Sequence, residues 1–333
     1  MLLTAVTSDV CLLVVSSGGK LCTKLAKDLV VGDQLLSHTS LQPIVSVRSN
    51  TEVEECIEIV PNRSATFCIL PSTLLGLRSS GTLSRPYGEE VYFALDHEEL
   101  AREWMRNRFK LFRKPIRAFS TKQLSIPPYI VGYFMVNHTS AFSFKASCPE
   151  VFEHLVEQTQ TVRGLMIRRT TPLVPNKSVK VEIDGESWRT FVRVNETRIF
   201  PDVYLCGDLA QRAQLFSGIL DNVGYMSKIN YTYDLCLRSD ALTEQIKLLA
   251  ISLGFYVTKT PRQQQTRLYI SGDYEDAGIQ CYDARKMARN GKQVKVNVSG
   301  FTSHKTKCMT THIELSSSVD NTFILHDGLS IKK

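Results

Sequence analysis

The stretch QLFSGILDNVGYM (Gln214 to Met226), with Asp202 and Asp208 shortly before it, holds residue types from which a phosphodiester-cleaving site could be assembled. Such chemistry needs carboxylates that hold Mg2+ at the scissile phosphate, where the metal generates the nucleophile and stabilises the leaving oxygen. The small residues Ser217 and Gly218 would let a second helix approach closely, and Gly224 ends the turn. At the helix end, where a ligand must point, stands Val223, which has no donor atom. Asp221 lies two residues earlier, about 160° away around the helix, and reads as a local cap or salt-bridge partner. A second apolar run, YIVGYFMVNHT (129–139), places Gly132 as the counterpart of Gly218 and Asn137 as that of Val223. Asparagine offers a metal only a neutral oxygen. His138, at the position of Gly224, reads as structural.

Two such helices need a doubled frame, and the pattern supplies one. SIPP (125–128) puts a proline in the first turn of the first helix, where its missing N–H costs nothing. Strand-like AFSFKAS, helical CPEVFEHLVEQTQ and strand-like GLMIRRTT and VKVEID follow. Asp208 is an N-cap for LAQRAQLFSGIL. After it come strand-like INYTYDLCLR, the helix DALTEQIKLLAISLG stopped by Gly254, and the strands FYVTKT and TRLYISG. One helix–strand–strand unit is read twice, its two glycines 86 residues apart. Residues 1–80 are β-rich, with short apolar runs broken by turn signals such as SSGGK and PNRSA. Leu95 to Phe112 reads as helical, then basic and irregular, and 295–333 returns to short strands. The expected fold is mixed α+β. A β-rich domain in two pieces, 1–82 and 295–333, is split by a basic accessory or linker region (83–124) and a duplicated α/β domain (125–290). The halves of that domain, about 125–200 and 205–290, are related by pseudo-twofold symmetry.

At 333 residues, 43% hydrophobic and 22% charged, the composition is that of a fully folded chain of two or three domains. No apolar run reaches the roughly 18 residues of a membrane span, so no membrane partner is expected. MLLTAVTSDVCLLVV has no basic residue and contains Asp9, and it reads as buried strands rather than a signal peptide. The nine cysteines are scattered without a CxxC or CxxH pair, which argues against a zinc site. Dispersed free thiols suit a reducing compartment, nuclear or cytoplasmic. Net charge is +7 and unevenly placed. Residues 102–117 hold seven basic residues against Glu103, interleaved with Trp104, Phe109 and Phe112. A second set is Arg163, Arg168, Arg169, Lys177 and Lys180; a third runs Arg285, Lys286, Arg289, Lys292, Lys295, Lys305 and Lys307. Such clusters either neutralise DNA phosphates or form solvated faces.

Over nearly the whole chain, this order resembles an intein of the large class: a split Hint (splicing) domain with an inserted LAGLIDADG homing endonuclease. AVTSDV (5–10) stands in the place of the family's opening block, and DLVVGDQLLS (28–37) is similar to its next strand pair. YIVGYFMVNHT and LFSGILDNVG (215–224) resemble its two endonuclease motifs, and LLAISLGFYVTKT the helix and strand after the second. NTFILHDGLSIKK (321–333) resembles its closing strand pair. The resemblance implies where chemistry belongs, and those positions have lost it. Splicing needs a Cys or Ser nucleophile where Ala5 stands. The bond-polarising motif is replaced by Leu70 and Thr73 in LPST (70–73), and the closing His-Asn by Lys332 and Lys333. With four residues before Ala5 and none after Lys333, no host protein is expected to be joined; a shifted register would bring in Cys11 or His326 instead. Asn137 and Val223 replace the two metal-holding carboxylates.

The implied function is binding of double-stranded DNA without splicing or cleavage, by a monomer with internal pseudo-symmetry. No enzyme activity and no cofactor are expected. In the family, the strands after each helix form a saddle along the major groove and read bases by side-chain hydrogen bonds. Matching candidates are Lys145, Arg168 and Arg169 in the first half, and Arg238, Lys259, Arg262 and Arg267 in the second. Arg106, Arg108, Lys110, Arg113, Lys114 and Arg117 would lie beside the duplex, and Gly132, Ser217 and Gly218 would pack the helices. Two alternatives stay open: a protein-interaction scaffold on the same fold, or a divergent homing endonuclease using Mg2+ through ligands relocated to Asp202, Asp208 or Asp221.

Overall fold

The computed structural model describes residues 2–62, 65–80, 88–94, 109–136, 142–174, 177–197, 199–229, 231–287, 298–316 and 322–332. The chain forms two compact units: Met1–Phe119 with Gly254–Tyr256 and Val294–Lys333, and Ser120–Leu253 with Val257–Gln293. The first begins with β1 (Leu2–Thr7), β2 (Cys11–Val15), β3 (Leu21–Leu25), β4 (Gln34–Leu36), β5 (Leu41–Pro61), β6 (Phe67–Ile69), β7 (Leu74–Ser79), β8 (Glu90–Ala94) and β9 (Phe109–Phe112). The second follows with α1 (Pro128–Met135), β10 (Ser143–Ala146), α2 (Pro149–Thr159), β11 (Met166–Arg169), β12 (Val179–Asp184) and α3 (Glu186–Val194). It continues with α4 (Asp202–Leu205), α5 (Leu209–Val223), β13 (Gly224–Ser227), β14 (Thr232–Leu237), α6 (Asp240–Ser252), β15 (Tyr256–Arg262) and β16 (Gln265–Ser271). The chain then returns to the first unit with β17 (Val298–Ser299), β18 (Phe301–Leu315), β19 (Thr322–Ile324) and β20 (Ser330–Lys332).

The first unit is held together by pairing between its two distant pieces. β18 runs antiparallel to β5 from Phe301 opposite Pro61 to Leu315 opposite Ile44, with shifts of register near Thr310 and Leu315. One sheet has the order β1-β18-β5-β4-β2-β3 with β6 also on β5, and the other β17-β9-β7-β20-β19 with β8 on β7. Each sheet therefore takes strands from both pieces, and neither piece alone holds a complete core. Leu12, Val14, Ile59, Leu77, Leu111, Ile313 and Phe323 belong to one buried cluster.

Two features of this unit differ from expectation. Cys56 on β5 and Cys308 on β18 are joined by a disulfide across 252 residues of sequence, while the other seven cysteines form no disulfide. Strand pairing creates that proximity, and cysteine spacing carries no trace of it. The basic stretch ends in a strand, not a helix: Phe109, Leu111 and Phe112 are buried on β9, which pairs with β7 through Leu77 and Leu111.

In the second unit the caps form as their residue types dictate. Pro128 opens α1 and Pro149 opens α2. Asp208 and Gln211 form a reciprocal capping box at α5, with Gln211 N–H donating to Asp208 Oδ1 at 2.8 Å and Asp208 N–H to Gln211 Oε1 at 3.2 Å. The sheets repeat one topology: β10-β12-β11 in the first half recurs as β14-β16-β15 in the second, with β13 added beside β14. The counterpart of β13 would fall at 137–141, outside the described residues. Strict alternation on β12 buries Val179, Val181 and Ile183 and exposes Lys180, Glu182 and Asp184. Among the described residues, no helix is long and apolar enough to cross a membrane.

Candidate nucleic-acid interface

The two motif helices cross at their glycines. A Cβ on Gly132 would lie 1.9 Å from Leu215 O, and one on Gly218 would lie 2.2 Å from Tyr129 O. The contacts are reciprocal. Each glycine faces the carbonyl three residues before the other glycine, as a twofold axis through the crossing requires. Only a residue without a side chain fits there. Ser217 has a different partner: its buried hydroxyl oxygen accepts the Gln280 N–H at 3.0 Å.

The C-terminal end of α5 is closed by its own polar residues. Asp221, fully buried, accepts from the Tyr129 hydroxyl at 2.7 Å and from the N–H groups of Tyr282 and Asp283 at 2.8 and 3.1 Å. Burial pushes its carboxyl above the usual range, and those donors pull the other way. Asp221 is thus engaged, but by donors 61 to 92 residues away in the sequence and by no ion pair among the described residues, rather than as the local cap or salt-bridge partner expected. The Lys286 ammonium donates to Leu220 O, Asp221 O and Asn222 O at 3.3, 2.7 and 2.9 Å, and Asn222 Nδ2 donates to Tyr133 O near the end of α1 at 2.6 Å. A cation thus meets the negative end of the α5 dipole. Burial lowers the pKa of Lys286, with Asp221 opposing.

These residues do not suit Mg2+. Val223 has no donor, the oxygens of Asp221 are engaged, and Lys286 already brings positive charge. Asn137 lies outside the described residues. Asp208 caps the far end of α5, roughly 20 Å from Asp221 at 1.5 Å per residue, and accepts from the Thr121 hydroxyl at 2.6 Å. Asp202 opens α4, upstream of that cap. The three carboxylates considered as relocated ligands therefore do not converge. Replacing Lys286 with methionine is expected to lower the stability of this unit by about 1–2 kcal/mol, read as a shift of the urea midpoint. An unchanged midpoint would show that water caps the helix equally well.

The outer faces of the two sheets carry several of the remaining cations. On the first, Lys145 of β10 stands directly opposite Lys180 of β12, and both are exposed. Neither ammonium has an ion-pair partner among the described residues. Arg168 of β11 is exposed on the same face, opposite Glu182. Arg169 is opposite Val181, so alternation turns it to the other face. On the second sheet, Arg238 is exposed just past β14 and Arg262 at the end of β15. Lys259 departs from expectation, since its ammonium contacts Glu244 of α6 at 2.5 Å and so lies on the helix side. Arg267 is held by Asp234 through Nε at 2.7 and 2.8 Å and through Nη2. Its charge is thereby neutralised for phosphate contact.

The strip expected to lie beside the duplex is largely engaged within the first unit. Arg113 is buried, donating to Asp327 O at 2.7 Å, with the Asp327 carboxylate at 3.6 Å. Lys114 meets Glu90 at 2.6 Å, Lys110 is half-buried and Arg117 is exposed. Arg106 and Arg108 lie outside the described residues. Ala5 pairs with His312, Leu70 and Thr73 are buried at one turn, and the Lys332 ammonium lies 5.5 Å from the Tyr92 ring centroid. Lys333 lies outside the described residues. Cys11 and His326 are neighbours, the His326 N–H donating to Cys11 O at 2.9 Å.

Its structural neighbours are LAGLIDADG domains. The N-terminal LAGLIDADG domain of DUF199/WhiA overlaps 47% of this chain and 83% of its own, at 12% identity and a TM-score of 0.34. I-DmoI in complex with DNA and Mn overlaps 44% of this chain and 89% of its own, at 12% identity and a TM-score of 0.32. Full-length DUF199/WhiA from Thermatoga maritima overlaps 47% and 56%, at 11% identity and a TM-score of 0.33. No protein-family model matches the chain, and no curated protein does. The reciprocal glycines and the sheet faces, rather than these overlaps, carry the functional reading.

Sequence reasoning singled out neither Lys286 nor Lys180 within its basic cluster, and it passed over Asp234. For Lys180 a signal existed: VKVEID alternates, and its polar positions share one face.

Proposed function

We propose that this chain binds double-stranded DNA through the outer faces of its paired sheets and neither cleaves DNA nor splices. Descent from an intein with a split Hint domain and an inserted LAGLIDADG endonuclease is part of that reading. One observation carries it. Like charges directly opposite on neighbouring strands destabilise a sheet, yet Lys145 and Lys180 stand so on an exposed face that they share with Glu182, and neither forms an ion pair among the described residues. A phosphate between them would relieve the repulsion, and the twofold frame repeats an exposed basic face with Arg238 and Arg262 in the other half. The loss of the catalytic groups is supported by Val223 and Lys286 at the end of α5, and by Ala5 in place of a nucleophile.

Binding to a pool of random duplexes, with a salt titration and a Mg2+ nicking control, tests the proposal. Affinity falling steeply with salt and no nicking is the expected result; no binding at low salt would overturn it. A scaffold role has one observation behind it. Ile229, 88% exposed, and Tyr225, 68% exposed, both lie on the β13–β14 hairpin and would favour a protein contact there. Nicking in Mg2+ would favour the endonuclease reading instead.

A further inference from the structure

We infer that Arg267 reads a guanine in the major groove and that Asp234 is its positioning residue; this rests on the DNA-binding reading above. Asp234 lies on the outer face of the second sheet, with Tyr225 of β13 and Tyr269 of β16 opposite it in register. It is nearly buried despite that position. Arg267 sits on β16 one row along, opposite Cys236, and reaches diagonally to the Asp234 carboxylate. Its guanidinium carbon is 5.1 Å from the centroid of the Tyr269 ring. Carboxylate on one side and ring beneath fix the side chain in the free protein, so a new contact demands little further ordering.

The Asp234 carboxylate leaves one edge of the guanidinium open. Nε and Nη2 form the side edge and face Asp234, whereas Nη1 has no partner among the described residues. Nη1 and the second hydrogen of Nη2 form the end edge, a pair of parallel donors. Guanine presents two acceptors at that spacing, N7 and O6, whereas adenine presents one acceptor and one donor. The ion pair also selects base over phosphate. Its net charge is near zero, so Coulomb attraction to a phosphate is largely lost, while a hydrogen bond to an uncharged acceptor is retained. A lone exposed arginine would have the opposite preference.

The test is enrichment of bound sites from a random duplex pool by the full chain and by Arg267→Ala, Arg267→Lys and Asp234→Asn, each checked for folding by circular dichroism. The wild type is expected to fix guanine at one position. Arg267→Ala should lower preference there by about 10- to 100-fold and leave other positions as they were. Arg267→Lys, which keeps the charge without the fork, should lose the same position; it serves if the alanine variant does not fold. Asp234→Asn should weaken the guanine preference and free a cation, steepening the salt slope by about one. A purely structural ion pair would move neither quantity. Unchanged base preference in the Arg267 variants, or salt-dependent wild-type binding without base preference, overturns the inference and leaves DNA binding standing. Absence of any binding overturns both.

Discussion

Replacing Gly132 with alanine is expected to destabilise the second unit by about 3 kcal/mol or more. The new Cβ would sit 1.9 Å from Leu215 O, and the group it meets is helix backbone, not the flexible end of a side chain. The two helices would have to separate. Tyr129, Ile130, Val131, Leu215, Phe216 and Ile219, all buried at this pair of helices, would lose packing together. Gly218→Ala, with its Cβ 2.2 Å from Tyr129 O, should cost a similar amount. Because one separation accommodates both methyl groups, the double variant should fall well short of the sum. Ser217→Ala, which removes only the acceptor for Gln280 N–H, should cost about 1 kcal/mol. Urea titration followed by far-ultraviolet circular dichroism and by fluorescence of the buried Trp188 reads all four. A Gly132→Ala midpoint close to the wild type would mean that the helices do not meet at their glycines. The twofold frame would then lose its axis.

What the sequence made legible was local or periodic. Pro128 at the first turn, the Asp208 and Gln211 pair, and the two glycines in equivalent runs each act through neighbours a few residues away. So does the alternation that turns Lys180 outward. Partners far off in the chain were not legible. Arg113 looked like one cation in a basic strip, but it is buried against Asp327, 214 residues later. Lys259 looked like a saddle residue, but Glu244 draws it to the helix side of its strand. The Cys56–Cys308 bond follows from the pairing of β5 with β18 and not from spacing. A count of basic residues does not say which face each one occupies, and side-chain partners decide that. Phe109 and Leu111 did offer a warning. Their alternation is that of a strand, and it was outweighed by the cations between and around them.

The double variant Lys145→Ala/Lys180→Ala should separate binding from folding by moving them in opposite directions. In the free protein the two ammonium groups face each other across β10 and β12, and neither forms an ion pair among the described residues, with Glu182 one row along on the same face. Their removal should therefore leave stability unchanged or raise it by a few tenths of a kcal/mol. If the same groups hold a phosphate, DNA affinity should fall roughly 100-fold at low salt. The slope of log K against log salt should drop by about two, one for each cation that no longer meets the DNA backbone. A solvated face would show the first effect without the second. A structural role would show lower stability and lower affinity together. Single variants sharpen the result, because removing either lysine already relieves the repulsion. The stability gain should appear in full with Lys145→Ala alone, whereas the full affinity loss should need both. Equal affinity of the wild type and the double variant across the salt range would remove the observation on which the DNA-binding reading rests.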